Sequence, residues 1–122
     1  LVGPRAVLVG NAAQTIHPIG AQGFNLGLRD ALTLAELVAT ATDPGDAGLL
    51  AAYAGRRQAD REATMAMSHG LASLACLPEP ALGPLRSLAM LAMGAPPLRA
   101  AMTARGMGLS ADAPIAVREG QA

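Results

Sequence analysis

Residues 10–30 read Gly10-Asn11-Ala12-Ala13-Gln14-Thr15-Ile16-His17-Pro18-Ile19-Gly20-Ala21-Gln22-Gly23-Phe24-Asn25-Leu26-Gly27-Leu28-Arg29-Asp30. The stretch places four glycines, one proline and four side-chain amides between an apolar run and a helical pattern. A strand end that enters a helix through such a loop presents free backbone N–H groups and the positive end of the helix dipole to whatever the loop encloses. Anions and electron-rich heteroatoms are stabilised there. Gly20 and Gly23 let a ligand approach the backbone, Pro18 stiffens the approach, and Asn11, Gln14, Gln22 and Asn25 offer donors and acceptors without charge. A phosphate loop of the Gly-Lys-Ser or Gly-Lys-Thr kind is excluded because the chain has no lysine. The expected ligand is polar, but not simply a phosphate.

On the N-terminal side, Ala6-Val7-Leu8-Val9 lies between Pro4 and Gly10 and reads as one short strand of the buried, parallel kind. Nothing later in the sequence reads as a strand, so its sheet neighbours are expected to lie in sequence before Leu1. The chain is therefore expected to be the C-terminal portion of a longer polypeptide.

On the C-terminal side, Phe24 to about Thr42 carries Leu28, Leu32, Ala35 and Val38 at helical spacing, widened by Leu34 and Leu37, and stops at Asp43-Pro44-Gly45. Asp46 is placed to cap a second, longer helix that runs to Leu77. In it Leu49, Leu50, Tyr53 and Ala54 are expected to face inward, and Arg56, Arg57, Asp60, Arg61 and Glu62 mostly to face water. Pro78-Glu79-Pro80 ends that helix. Gly83-Pro84 opens a third, through Met93, with Leu85, Leu88, Ala89 and Ala92 on one side, and Pro96-Pro97 introduces a fourth. The reading is mostly α with one short N-terminal strand. It divides into residues 1–42 (strand, loop and helix), a helical region 43–105, and a loose tail 106–122.

Composition narrows the function classes. At 122 residues, 52% hydrophobic and 15% charged, the chain is the size of one globular domain. Nine arginines balance nine acidic residues, and aromatic content is 2%, so neither a net field nor a stacking platform favours nucleic acid. Cys76 is the single cysteine, read as a small buried hydrophobe in a reducing compartment. With His17, His69 and Cys76 as the candidate soft ligands, no metal site is expected. The uncharged run Ala6–Leu28 contains too many amides, with His17 and Pro18, to be a membrane span.

Read against known families, Gly10-Asn11-Ala12-Ala13-Gln14, Pro18, Gln22-Gly23-x-Asn25-x-Gly27-x-x-Asp30 resembles the second flavin-binding motif of the FAD-dependent aromatic hydroxylases, usually Gly-Asp-Ala-Ala-His, Pro, and Gly-Gln-Gly-x-Asn-x-Gly-x-x-Asp. The wording is most similar to the ubiquinone-biosynthesis hydroxylases of the 2-polyprenyl-6-methoxyphenol hydroxylase type. The likeness continues through Leu49-Leu50-x-x-Tyr53-x-x-x-Arg57-x-x-Asp60 and Arg105-Gly106-Met107-Gly108. Three positions depart from the pattern: Asn11 for Asp, Gln14 for His, and Ala21 for the first glycine of Gly-Gln-Gly.

The resemblance implies the C-terminal part of an α/β FAD-binding monooxygenase fold, with residues 1–42 as the end of the FAD-binding domain. It implies FAD as cofactor, NAD(P)H as reductant, and O2 and a polyprenylated phenol as substrates in ubiquinone biosynthesis. Asn11, following Gly10, would bond a ribityl hydroxyl, Pro18 would lie against the flavin ring, and Ala21, Gln22, Gly23, Phe24 and Asn25 would meet its pyrimidine edge. No catalytic acid or base is assigned. The isolated chain is expected to be inactive and to bind FAD poorly, since the dinucleotide phosphate loop would lie elsewhere. Localisation is expected in the cytoplasm, with peripheral contact at the inner membrane and other pathway proteins as further partner readings. His17 is either structural or a proton shuttle, and Arg29 is expected to meet solvent or another domain. Leu85, Leu88, Leu91 and Leu98 with Arg86, Arg99 and Arg105 form either a packed helix pair or a membrane- or subunit-facing surface. The competing reading is a non-enzymatic helical module that binds a partner or a membrane, which has no need of the amide and glycine spacing in residues 10–30.

Overall fold

The computed structural model describes residues 1–18, 22–76, 78 and 82–107. Two strands, β1 (Val2–Gly3) and β2 (Ala6–Val7), form an antiparallel hairpin in which Val2 pairs with Val7 and Gly3 with Ala6. This differs from the expected lone, buried parallel strand. Pro4 fixes one turn position and Arg5 takes φ +53° at the next, a combination that reverses the chain within two residues. The ladder extends through Leu8 N donating to Leu1 O at 2.8 Å, and Leu8 and Val9 stay exposed. Arg5 also spans to the next connection, where its guanidinium donates both Nη atoms to Asp43 at 2.8 Å and covers Gly45. That fork, with the Gly45 N–H, holds the Asp43 carboxyl down at about 2.

A single 3-10 turn at Gly10–Ala12 leads into the loop, and α1 (Gln22–Ala39) follows. The helix ends three residues before the expected boundary. Its buried positions are Leu26, Arg29, Asp30 and Thr33, whereas Leu28 is 48% exposed. Helical periodicity is present, but the inward stripe is one of polar side chains, displaced from the aliphatic one.

The second helix, α2 (Ala47–Ala75), is capped by Asp46, whose carboxylate accepts from Leu49 N at 2.9 Å. It ends at Ala75, and Leu77 lies outside the described residues. Its buried positions, Leu50, Tyr53, Arg57, Arg61, Thr64 and Ser68, recur every three or four residues and make one face. Leu50 and Tyr53 are inward as expected; Arg57 and Arg61 correct the expectation that they face water. Cys76 at the helix end is exposed rather than buried.

Helices α3 (Gly83–Met93) and α4 (Pro96–Gly106) begin where the prolines place them. Leu85 and Leu88 are 55% and 65% exposed, so that side of α3 is not packed within the described residues. Gly106 is the last residue of α4 rather than the start of a loose tail, and 108–122 lie outside the described residues. No helix among the described residues is long and apolar enough to cross a membrane.

The core sits between α1, α2 and the 3-10 turn. Its buried hydrophobic residues, among those described, are Leu26, Leu50 and Tyr53. Burial is the first cause that pushes the Tyr53 phenol up to about 12, followed by the nearby Asp30 charge. The fold thus holds the neutral phenol, and its contribution is complete below pH 10 and lost as pH rises toward 12. Because Tyr53 is the single tyrosine, a tyrosinate absorbance titration reads it alone. Its midpoint is expected near 12 in the folded chain and near 10 in denaturant. Tyr53→Phe should abolish the titration in both states, at a cost below about 1 kcal/mol.

Candidate functional site

Val9, the 3-10 turn and the first turns of α1 border a cleft of about 520 Å³ lined by Val9, Gly10, Asn11, Gly23, Phe24, Gly27 and Leu28. Two glycines make it. Gly10 has φ +58°, and a Cβ on Gly27 would stand 3.2 Å from Gly10 Cα, so the turn rests on the helix backbone to backbone. Asn11 is exposed at the rim, and its Oδ1 lies where a Cβ on Gly23 would meet it at 3.7 Å. Phe24 is 78% exposed, Asn25 and Pro18 are exposed, and Gln22 is half-buried. Ala21 lies outside the described residues. Gly10, Asn11, Gly23 and Phe24 therefore gather at one end of α1, whereas Asn25 and Gln22 turn toward a second cleft, of about 610 Å³, beside Arg29, Met102, Thr103 and Gly106, and Pro18 lines neither.

The donor set is uncharged on the cleft side. The first turn of α1 contains no acidic residue, so no carboxylate within that turn neutralises its dipole end, and its first N–H groups have no partner within the helix. Gln22 Oε1 is buried with no hydrogen-bond partner. Such a rim suits the polar, weakly anionic edge of a heteroaromatic ring, and the Gly10–Gly27 contact leaves room for it. These residues fit a flavin.

Behind the loop lies a network that the sequence reading did not assemble. Asp30, fully buried, accepts from Gly10 N at 3.1 Å and Gln14 Nε2 at 3.4 Å through Oδ2, and from Arg57 Nε at 2.8 Å through Oδ1. Arg57 continues to Asp60 through Nη2, 2.6 Å from Oδ2, and Arg29 Nε reaches the same carboxylate at 2.8 Å. Arg29 is 4% exposed and meets Asp60 within this chain, rather than the expected solvent or another domain. Burial opposes ionisation of Asp60, yet the hydrogen bonds and charges of Arg29 and Arg57 outweigh it, and the carboxyl titrates below its ordinary value. Asp60 therefore stabilises the fold above the ordinary carboxylate range, and that contribution fades as pH falls through its lowered value.

Helix α2 also grips the loop directly. Tyr53 OH lies 3.5 Å from Leu8 O, Arg61 Nη2 donates to Ala13 O at 2.9 Å, and Ser68 Oγ donates to His17 O at 3.0 Å. The signal that could have found these residues was the helical spacing of Leu50, Tyr53, Arg57, Arg61, Thr64 and Ser68, which puts them on one face of α2.

The profile of the FAD binding domain family matches residues 2–68, more than half of the chain. The chain belongs to this family. The matched part of the FAD binding domain ends at Ser68, the last α2 residue bonded to the loop. Among curated relatives, the ubiquinone hydroxylase UbiL of Rhodospirillum rubrum is 42% identical over 74 residues, covering 57% of this chain and 17% of that protein. The 3-demethoxyubiquinol 3-hydroxylase of Escherichia coli is 44% identical over 63 residues, 48% of this chain and 16% of its own length. The human ubiquinone biosynthesis monooxygenase COQ6 is 38% identical over 69 residues, 53% and 15% respectively. The chain thus spans less than a fifth of the length of each of these relatives. No solved structure matches it.

The Asp30–Arg57 pair has side chains 0% and 2% exposed, so removing one partner strands a charge. Asp30→Asn or Arg57→Met alone is expected to cost about 3–5 kcal/mol in urea unfolding, and the double variant clearly less than the sum. Additive losses would show that the two side chains do not interact.

Proposed function

We propose that this chain is the flavin-holding C-terminal segment of an FAD-dependent monooxygenase that hydroxylates a polyprenylated phenol in ubiquinone biosynthesis. The observation that carries the reading is the uncharged cleft at the N-terminus of α1, with its Gly10–Gly27 contact and the Asn11 amide at its rim. The relatives, named as a ubiquinone hydroxylase, a 3-demethoxyubiquinol 3-hydroxylase and a ubiquinone biosynthesis monooxygenase, support the same class. Bound FAD, with NAD(P)H as reductant and O2 as co-substrate, supplies the chemistry of ring hydroxylation.

The chain's own residues bind and polarise. Asn11 accepts a hydrogen bond from a ribityl hydroxyl, a neutral bond worth about 1 kcal/mol where a carboxylate would give more. The free N–H groups from Gln22 to Asn25, at the positive end of α1, stabilise negative charge at the pyrimidine edge of the ring. Pro18 shapes the face where oxygen reacts. Residues 1–42 act as the end of the FAD-binding domain and 43–105 as the helical region behind it. The protein works in the cytoplasm, with peripheral contact at the inner membrane, where a lipid-tailed phenol resides.

The test is a nuclear magnetic resonance titration of the isotope-labelled chain with FAD up to millimolar concentration. Shifts are expected at the amides of Gly10, Asn11 and Gly23–Asn25, weak in affinity and about fivefold weaker in Asn11→Ala. Unmoved loop amides, or shifts confined to α3, would overturn the reading.

A further inference from the structure

Arg61 is an expensive residue for this fold to hold. It is 9% exposed, its Nη1 is buried with no partner, and among the described residues it forms no ion pair. Its Nη2 donates to Ala13 O at 2.9 Å. The nearby cluster already balances itself, with Arg29 and Arg57 set against Asp30 and Asp60, so Arg61 adds one uncompensated positive charge. A buried cation that satisfies one carbonyl costs stability, and an apolar side chain of similar length would cost less. Stability therefore does not account for it.

The position of its bond does. Arg61 fixes the carbonyl of Ala13, and Ser68, 2% exposed and two helical turns further along α2, fixes the carbonyl of His17. The two anchored carbonyls bracket residues 14–16, and the second adjoins Pro18. At a rise of about 1.5 Å per residue, the seven-residue step from Arg61 to Ser68 spans about 10 Å of helix. A rigid helix thus sets the distance between the two loop carbonyls. Asp30 secures the start of the same loop through Gly10 N and Gln14. The shape of the loop is dictated from behind, by side chains that do not line the cleft of Gly10, Asn11 and Gly23.

We infer that Arg61 and Ser68 are positioning residues of the cofactor loop: by holding Ala13 O and His17 O they set the path of residues 14–18 and so the places of Asn11 and Pro18 at the flavin. The inference rests on the FAD reading for its consequence, and on hydrogen-bond geometry for its cause.

Three readouts on the same labelled chain test it: the melting midpoint, amide hydrogen exchange of residues 14–17 without FAD, and the FAD concentration that half-saturates the loop shifts. Arg61→Met is expected to melt no lower than the parent, because it removes a stranded charge. Its loop amides should nevertheless exchange about tenfold faster and its half-saturating FAD should rise about tenfold. Arg61→Lys, which keeps a donor, should recover part of both. Ser68→Ala should move the same two readouts by about fivefold. A merely structural role predicts the opposite split, a lower midpoint with loop exchange and FAD affinity unchanged in proportion, and that result would sink the inference. The FAD reading fails separately, if the unsubstituted chain shows no loop shifts; exchange without FAD still decides whether Arg61 and Ser68 hold the loop.

Discussion

The structure depends on one buried carboxylate. Asp30 is inaccessible to water and takes hydrogen bonds from the 3-10 turn, from the loop and from α2 at once, through Gly10 N, Gln14 Nε2 and Arg57 Nε. A carboxylate in that position would be prohibitively costly alone, because desolvation disfavours its charge. With three donors around two oxygens it becomes the point where three segments must agree in position. The loop is shaped at its start before any ligand arrives.

The consequence is a core of an unusual kind. The interior between α1 and α2 is built from Arg29, Asp30, Thr33, Arg57, Thr64 and Ser68 more than from its three buried hydrophobic residues. Apolar packing is non-directional and tolerates sliding, whereas hydrogen-bonded ion pairs fix register and distance. A helix pair whose task is to place a loop gains from the second kind of contact. Thr33, which returns its hydroxyl to Arg29 O, shows that even the smaller polar groups here are satisfied within the helix.

The two faces of the loop divide the work. Toward α2 it is anchored by charged and hydroxyl side chains; the cleft in front of its start is lined by the Asn11 amide and by glycines of the 3-10 turn and α1. Charge is kept behind, paired among Arg29, Asp30, Arg57 and Asp60 and held on a loop carbonyl at Arg61, and neutral groups are left in front, where a polar heteroaromatic edge would be recognised without a fixed counter-ion. The end of the family match at Ser68 coincides with the end of this anchoring face. Helices α3 and α4 lie beyond the match, and Leu85, Leu88 and Leu91 on α3 remain open to solvent.

Local chemistry made much of this legible in the sequence. Asp46 as a cap, Pro84 and Pro96 at helix starts and the break at Asp43-Pro44-Gly45 act within a few residues, so spacing alone placed α1 to α4 to within a few positions. The Gly10–Asp30 spacing likewise pointed to a flavin loop, because glycine and amide positions report backbone requirements directly. What spacing could not decide was which side of each helix is inside. Hydrophobicity assigned Leu28 and Ala35 inward and Arg57 and Arg61 outward, and tertiary pairing reversed that, since an arginine is buried only when a partner distant in sequence meets it, as Asp30 meets Arg57 across 27 residues. The sequence by itself determined the elements and the kind of ligand edge they suit; the tertiary structure alone decided what holds the loop, because charge compensation is a property of three-dimensional neighbours.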